Sequence, residues 1–346
     1  LDETGAQIIR KLSSEYGIEA ADLSQQQGGQ MGPAYAAVAA DGSRWFIKLS
    51  LPFSDQCFEP LDRTAALVAS YELERVVRSG RAVGPHLRRD GMPITFIDGG
   101  VMVVFPFIDA EPLGPPERWT RTTVAEVTRL IAEVHAATHI VRAHVAEDNF
   151  RLLGRQALTD LLQLLQSQRT GPRDDARRLI WPHRAELLRI EHEYVDLQAR
   201  LREISHDLVL CHLDLNGDNL RRDNQGQLIL IDWEHLALAP LESDLTILLG
   251  EHAAVAWSEY TQIRGQRECM SDVVAFQYYT WFVGYLRFFL CRLLQQDRTP
   301  EQQKQDLWNT RMTIDAGVGG RFDRELSANV AAARALLSGS SGPTRH

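Results

Sequence analysis

The stretch Leu210-Cys211-His212-Leu213-Asp214-Leu215-Asn216-Gly217-Asp218-Asn219, with Leu230-Ile231-Asp232-Trp233-Glu234 after it, decides how this chain is read. The apolar run from Asp207 to His212 leads into a loop dense in Asp and Asn. A second run, Leu228 to Trp233, follows the turn Asp223-Asn224-Gln225-Gly226, and both runs read as strands. Phosphoryl transfer needs a carboxylate to orient and accept the proton of an attacking hydroxyl, and oxygen ligands that hold Mg²⁺ against the phosphates. Asp214 is the candidate base, and Asn219 and Asp232 are the candidate Mg²⁺ ligands. Read alone, the loop is equally a strand end with a polar turn; the second half of the pattern weighs against that plainer reading. His212 reads as a structural residue that fixes the loop by a hydrogen bond. Asp218 reads as a solvated carboxylate.

Working upstream, Phe46-Ile47-Lys48-Leu49 has strand alternation that puts Phe46 and Lys48 on one face and Ile47 and Leu49 on the other. Lys48 can thereby reach phosphate oxygens, although a lone strand lysine is more commonly just exposed. Around it the chain is rich in strands, with Ala34 to Ala40, Trp45 to Leu49, Pro93 to Ile97 and Val101 to Phe107, plus helices over residues 2–16 and 63–78. Beyond the Pro-rich segment Glu111 to Glu117 the pattern turns helical, as in Thr123 to Thr138 and Leu158 to Gln168. The aromatic run from Phe276 to Leu294 is interrupted by Gln277, Arg287 and Arg292, so it reads as a buried helix and not a membrane span.

The 346 residues exceed what one core usually serves, so two lobes are expected. With 44% hydrophobic and 24% charged residues the chain is of globular type. A net charge of -9 argues against nucleic acid or an anionic membrane as the partner and suits a cationic small ligand. Four scattered cysteines indicate neither a zinc site nor a disulfide framework. With no signal-peptide pattern at Leu1-Asp2-Glu3-Thr4, the expected location is the cytoplasm.

His212-x-Asp214-x4-Asn219 together with Ile231-Asp232-Trp233-Glu234 resembles the aminoglycoside phosphotransferase family, relatives of the protein kinases. Asp214 and Asn219 have the spacing of the kinase catalytic loop. Tyr16-Gly17-Ile18, Phe46-Ile47-Lys48-Leu49, Phe105-Pro106-Phe107-Ile108-Asp109-Ala110 and Leu238-Ala239-Pro240 look most like the spectinomycin phosphotransferase subgroup. The resemblance implies a bilobal α+β fold of protein-kinase type. Its nucleotide-binding lobe is expected at residues 1–108, its catalytic and substrate-binding lobe at 109–337, and a flexible tail at 338–346. It also implies that Asp244 braces the catalytic loop beside His212, and that a helix glutamate, with Glu72 chosen over Glu59 and Glu74, pairs with Lys48. A glycine flap at Gly28-Gly29-Gln30-Met31-Gly32 would use Gly29 and Gly32 over the phosphates; this segment departs from the kinase Gly-x-Gly-x-x-Gly, and a plain hairpin turn reads as well. Backbone groups at Phe105, Phe107 and Ile108 would meet the purine base.

The implied activity is transfer of the γ-phosphate of ATP or GTP, with Mg²⁺, to a hydroxyl of an aminocyclitol-like antibiotic such as spectinomycin, which would give resistance. Glu234, His235 and Glu242 are candidates for attracting an amine-bearing substrate. A metabolic kinase acting on a sugar, amino alcohol or nucleoside-like hydroxyl remains open, as does a non-catalytic nucleotide-binding module. Asp232-Trp233-Glu234, with no Ala-Pro-Glu segment after it, disfavours a protein kinase.

Overall fold

A computed structural model describes residues 2–26, 33–50, 63–74, 77, 81–98, 100–154, 156–248, 250–296 and 298–338. The chain forms two compact units. Unit 1 comprises Leu1–Phe53, Leu61–Glu147 and Leu208–Leu238; unit 2 comprises Ser54–Pro60, Asp148–Asp207 and Ala239–His346. The lobe boundary expected at 108/109 thus falls inside unit 1, which also takes in the segment carrying the Asp214 loop.

Unit 1 opens with α1 (Glu3–Lys11), capped by Asp2 Oδ1 on the Gly5 N–H at 2.8 Å. A π-helical turn, Leu12–Tyr16, follows and ends at Gly17 with φ 77°. The strands β1 (Ala20–Gln26), β2 (Ala34–Ala39), β3 (Arg44–Ser50), β4 (Thr95–Ile97) and β5 (Gly100–Pro106) form one antiparallel sheet in the order β1-β2-β3-β5-β4. Alternation decides its faces. Ile47 and Leu49 are fully buried with Tyr35, Met102 and Val104 and with Ile8 and Leu12 of the N-terminal helix, while Phe46 and Lys48 look the other way. Burying these apolar side chains stabilises the sheet by roughly 1.5–3 kcal/mol each, which fixes the register that places Lys48 opposite Val103.

The helix α2 (Arg63–Glu74) precedes β4, and β6 (Ala110–Pro112) follows β5. Next come α3 (Arg121–Ala136), capped by Thr120 on the Thr123 N–H, and the short α4 (Thr138–Val141). After unit 2's first helices the chain returns as β7 (Leu208–Cys211), whose Leu210 N–H donates to Thr138 Oγ1 at 2.8 Å. The hairpin β8 (Leu220–Asp223) and β9 (Leu228–Leu230) completes a small sheet in the order β6-β8-β9. Its turn is closed by Asp223 Oδ1, which accepts from the Gln225 and Gln227 N–H groups at 2.9 and 2.7 Å.

Unit 2 is helical: α5 (Leu158–Gln166), α6 (Gly171–Ile180), α7 (Arg184–Arg202), α8 (Glu242–Leu245), α9 (Ala253–Arg264), α10 (Ser271–Tyr279), α11 (Tyr285–Leu294), α12 (Pro300–Gly317) and α13 (Arg321–Ser338). The expected aromatic helix is α10 and α11 joined by a π-helical turn, Thr280–Gly284. Phe276, Tyr279, Phe282, Phe288 and Phe289 are buried there, and Trp281 is exposed. The aromatic run is therefore mainly core, with the Phe276 ring 5.2 Å from Tyr194 of α7. Asp306, fully buried, accepts from Arg298 at 2.7 and 3.0 Å, a pairing without which a buried charge would be costly.

Among the described residues no helix is long and apolar enough to cross a membrane. Cys211 and Cys269 are buried thiols outside any disulfide.

Candidate active site

The loop after β7 holds itself together through its own side chains. Asn216 Oδ1 accepts from the Asp218 and Asn219 N–H groups at 2.9 and 3.0 Å, an Asx turn that sets the loop's curvature. Asn219 Nδ2 donates to Asp214 Oδ2 at 2.9 Å and to the Asp214 carbonyl at 2.8 Å. Asn216 Nδ2 donates more weakly to Asp214 Oδ1, at 3.3 Å. With its nitrogen committed to Asp214, Asn219 is left with its amide oxygen as the atom suited to a cation.

His212, fully buried, ties this loop to the strand that ends at Asp232. Its Nε2 lies 2.9 Å from the Ile231 carbonyl, and its Nδ1 accepts from the Asp214 N–H at 3.2 Å. The two contacts together require the Nε2–H tautomer. Trp233, almost fully buried, packs edge-on against the His212 ring at 4.7 Å. Leu213, beside Asp214, and Asp232 itself take left-handed backbone conformations, at φ 63° and φ 68°. Asp tolerates this region; a bulky Leu there stores about 1–2 kcal/mol that the surrounding bonds must hold.

Burial pushes the Asp214 carboxyl up to about 6; His212 opposes the rise, the Asp232 charge adds to it, and the Asn219 and Asn216 hydrogen bonds oppose it. At Asp232 burial acts in the same direction, but Lys48 overrides it and the carboxyl is held below its usual range. Lys48 Nζ lies 2.8 and 3.0 Å from the two Asp232 oxygens and 3.0 Å from Glu234 Oε1. Desolvation would lower the ammonium, and these two carboxylates together raise it instead. The two neighbouring carboxyls Asp214 and Asp232 are thus driven apart, one towards proton uptake near neutrality and one towards a fixed negative charge.

A divalent cation fits this donor set. Asp232 supplies a carboxylate that is ionised across the neutral range, and Asn219 supplies an amide oxygen. Both are hard oxygen ligands of the kind Mg²⁺ takes alongside phosphate and water.

Of the remaining candidates, Glu234 is buried on Lys48, with 4% side-chain exposure. His235 ends the short turn Trp233–His235 and lies near enough to Asp232 to favour its charged form. Glu242 belongs to unit 2, where its carboxylate accepts from the Met270 N–H at 2.7 Å at the start of α10 and burial raises its carboxyl. Asp244 is buried in α8 of the same unit. Glu72 is half-buried in α2 beside the fully buried Leu73. Phe105 and Phe107 are partly buried at the end of β5. The Phe107 N–H is taken by the Arg44 carbonyl at 3.0 Å, and its ring is covered by the Arg44 guanidinium at 3.9 Å. Ile108, also partly buried, follows directly. Gly29 and Gly32 lie outside the described residues.

Three features of the site were missed in the sequence. Asn216 is the hub of the loop, and the Asn-Gly pair was its available signal. Gly217 is required by close approach: a Cβ there would lie 1.8 Å from the Gly114 carbonyl oxygen. Gly114 itself has φ 68°, donates to the Gly217 carbonyl at 3.2 Å, and accepts from Trp119 Nε1 at 3.0 Å. The Pro-rich segment is therefore a brace laid along the loop.

The model of the APH phosphotransferase enzyme family matches residues 22–276. No curated protein matches the chain. Among solved structures, a spectinomycin phosphotransferase in complex with ADP and spectinomycin is similar at a TM-score of 0.67 and 16% identity, covering 96% of this chain and 98% of that one. An amicoumacin kinase in complex with AMP-PNP and Ca²⁺ is similar at a TM-score of 0.56 and 14% identity, over 92% and 94%. A choline kinase from Streptococcus pneumoniae is similar at 0.50 and 14%, over 91% and 100%. At these identities the likeness establishes the kinase-like fold, while the family match, which takes in Lys48, Asp214, Asn219 and Asp232, reaches further. The chain belongs to the APH phosphotransferase enzyme family, and it is a phosphotransferase.

Proposed function

We propose that this phosphotransferase moves the γ-phosphoryl group of a nucleoside triphosphate, ATP or GTP, to a hydroxyl of a small molecule, with Asp214 as the base. The observation that carries the reading is Asp214 itself: a half-buried carboxyl raised to about 6, gripped by Asn219, in the same unit as the Lys48–Asp232 pair. A base of that strength is mostly ionised at neutral pH and still takes up a proton readily.

Mg²⁺ held by Asp232 and Asn219 would supply charge neutralisation on the phosphates. The chain's own groups do the rest. Lys48 turns its ammonium to the phosphate oxygens. Asp214 orients the acceptor hydroxyl and takes its proton as the hydroxyl oxygen bonds to phosphorus. The bridging P–O bond breaks, and the nucleoside diphosphate leaves with the electron pair. Alignment and fixed charge account for most of the rate in such a reaction, because its loose transition state needs little covalent help. In this reading Gly29 and Gly32 close over the phosphates, Glu72 supports Lys48, backbone groups around Phe105 to Ile108 meet the purine, and Asp244 braces the loop.

For the acceptor, the sequence resemblance to the spectinomycin phosphotransferase subgroup supports an antibiotic, aminocyclitol-like alcohol, and with it a role in resistance. Likeness to the choline kinase supports a second reading, a metabolic amino alcohol or sugar. The net charge of -9 suits a cationic acceptor in either case. A product-detecting screen of hydroxylated antibiotics and metabolites with ATP and GTP, with Asp214→Ala as control, separates the two. Transfer to metabolites alone would sink the antibiotic reading, and Mg-nucleotide binding without any turnover would sink the enzyme mechanism.

A further inference from the structure

The Lys48 ammonium is shared. Asp232 and Glu234 both lie on it at about hydrogen-bond distance, 2.8 and 3.0 Å, although only Asp232 belongs to the donor set suited to the cation. The left-handed residue Asp232 and the short turn Trp233–His235 put these two carboxylates on the same side of the chain, with Trp233 buried between them. Glu234 has 4% of its side chain exposed against 32% for Asp232, so it is the deeper and less accessible of the two. That burial weighs against meeting an incoming amine, because its charge is already spent on Lys48.

We infer that Glu234 is a positioning residue that keeps Lys48 paired when Asp232 is given over to the cation. The inference rests on the phosphoryl-transfer reading above. Its physical basis is the cost of stranding a charge. Lys48 is only 16% exposed, and a buried ammonium without a carboxylate is strongly disfavoured. If Asp232 were the one carboxylate lying directly on the Lys48 ammonium, the lysine would compete with the cation for it. Glu234 removes the conflict. Asp232 can turn to the cation and Lys48 to the phosphates while one carboxylate still fixes the lysine in place.

The test is the affinity for ADP and for GDP in the presence of Mg²⁺, by titration calorimetry, in the parent, Glu234→Gln, Lys48→Met and the double variant. If Glu234 acts through Lys48, Glu234→Gln weakens Mg-nucleotide binding at least tenfold when Lys48 is present and less than twofold when residue 48 is Met. Equal loss in both backgrounds would overturn the inference, because Glu234 would then touch cation or nucleotide independently; so would no loss in either. A parent that binds neither nucleotide would instead overturn the phosphoryl-transfer reading on which this rests. Should Lys48→Met fail to fold, the parent crystallised with Mg²⁺ and ADP answers the same question. A Glu234 carboxylate against Lys48 Nζ supports the inference, and a Glu234 carboxylate in the cation's coordination shell contradicts it.

Discussion

The Asp214 loop closes through contacts spanning two to five positions, whereas Lys48 meets Asp232 across 184 positions. The first is a local device: Asn216 and Asn219 fold the loop around Asp214 in nearly the same way wherever the strand delivers it. The second exists only once the five-stranded sheet has set its register and the β8–β9 hairpin has brought Asp232 round. Damage to the two should therefore look different. A break in the loop misplaces Asp214, the base of the proposed reaction, while a break in the charge cluster removes partners from several groups at once.

The largest effect is expected at the cluster. Asp232→Asn takes away both the cation carboxylate and the first partner of Lys48, and should lower kcat/KM by on the order of 10³-fold, read by steady-state kinetics on the acceptor the screen returns. In the loop, Gly217→Ala forces a methyl group into the Gly114 carbonyl and should displace Asp214. A loss of about 10²-fold in kcat with the affinity for metal-free nucleotide unchanged is expected, since the cation ligand Asn219 shares this loop. Equal loss of nucleotide affinity would mean that the two regions are not separable. Asn216→Ala removes the Asx turn alone and should cost about 1–2 kcal/mol of unfolding free energy in a denaturant titration, with a smaller fall in kcat.

The same contrast explains what could be read in the sequence. Asp214, Asn219 and the strands on either side were legible because the loop's chemistry and spacing are contiguous. The alternation of Phe46, Ile47, Lys48 and Leu49 was legible because period two decides which face is buried. The carboxylate on Lys48 was not, since several glutamates could reach a strand lysine and only the folded chain shows Glu234 lying on it. Nor was the approach of Gly114 to Gly217: backbone meeting backbone leaves no side-chain pattern beyond two glycines among many. The π-helical turns at Leu12–Tyr16 and Thr280–Gly284 were invisible for a related reason, because one extra residue in a turn barely disturbs the apolar spacing.

A smaller effect concerns stability. Asp214 has a folded-state carboxyl raised from 3.8 to about 6. Its protonation therefore contributes stability that is fully present below the unfolded value and is lost as pH rises through about 6. Asp214→Asn should raise unfolding stability at pH 8 by at most about 3 kcal/mol, and the gain should vanish near pH 4. Thermal unfolding at the two pH values measures it.

The central claim is that Asp214 accepts the acceptor's proton, and the pH dependence of kcat/KM in the parent and in Asp214→Asn tests it most directly. The parent should hold a plateau above about pH 6 and fall about tenfold per unit below it, because a protonated Asp214 cannot accept a proton. Asp214→Asn should be slower by on the order of 10³-fold and lack that acidic limb. A variant as fast as the parent, or one that keeps the same limb, would contradict the account.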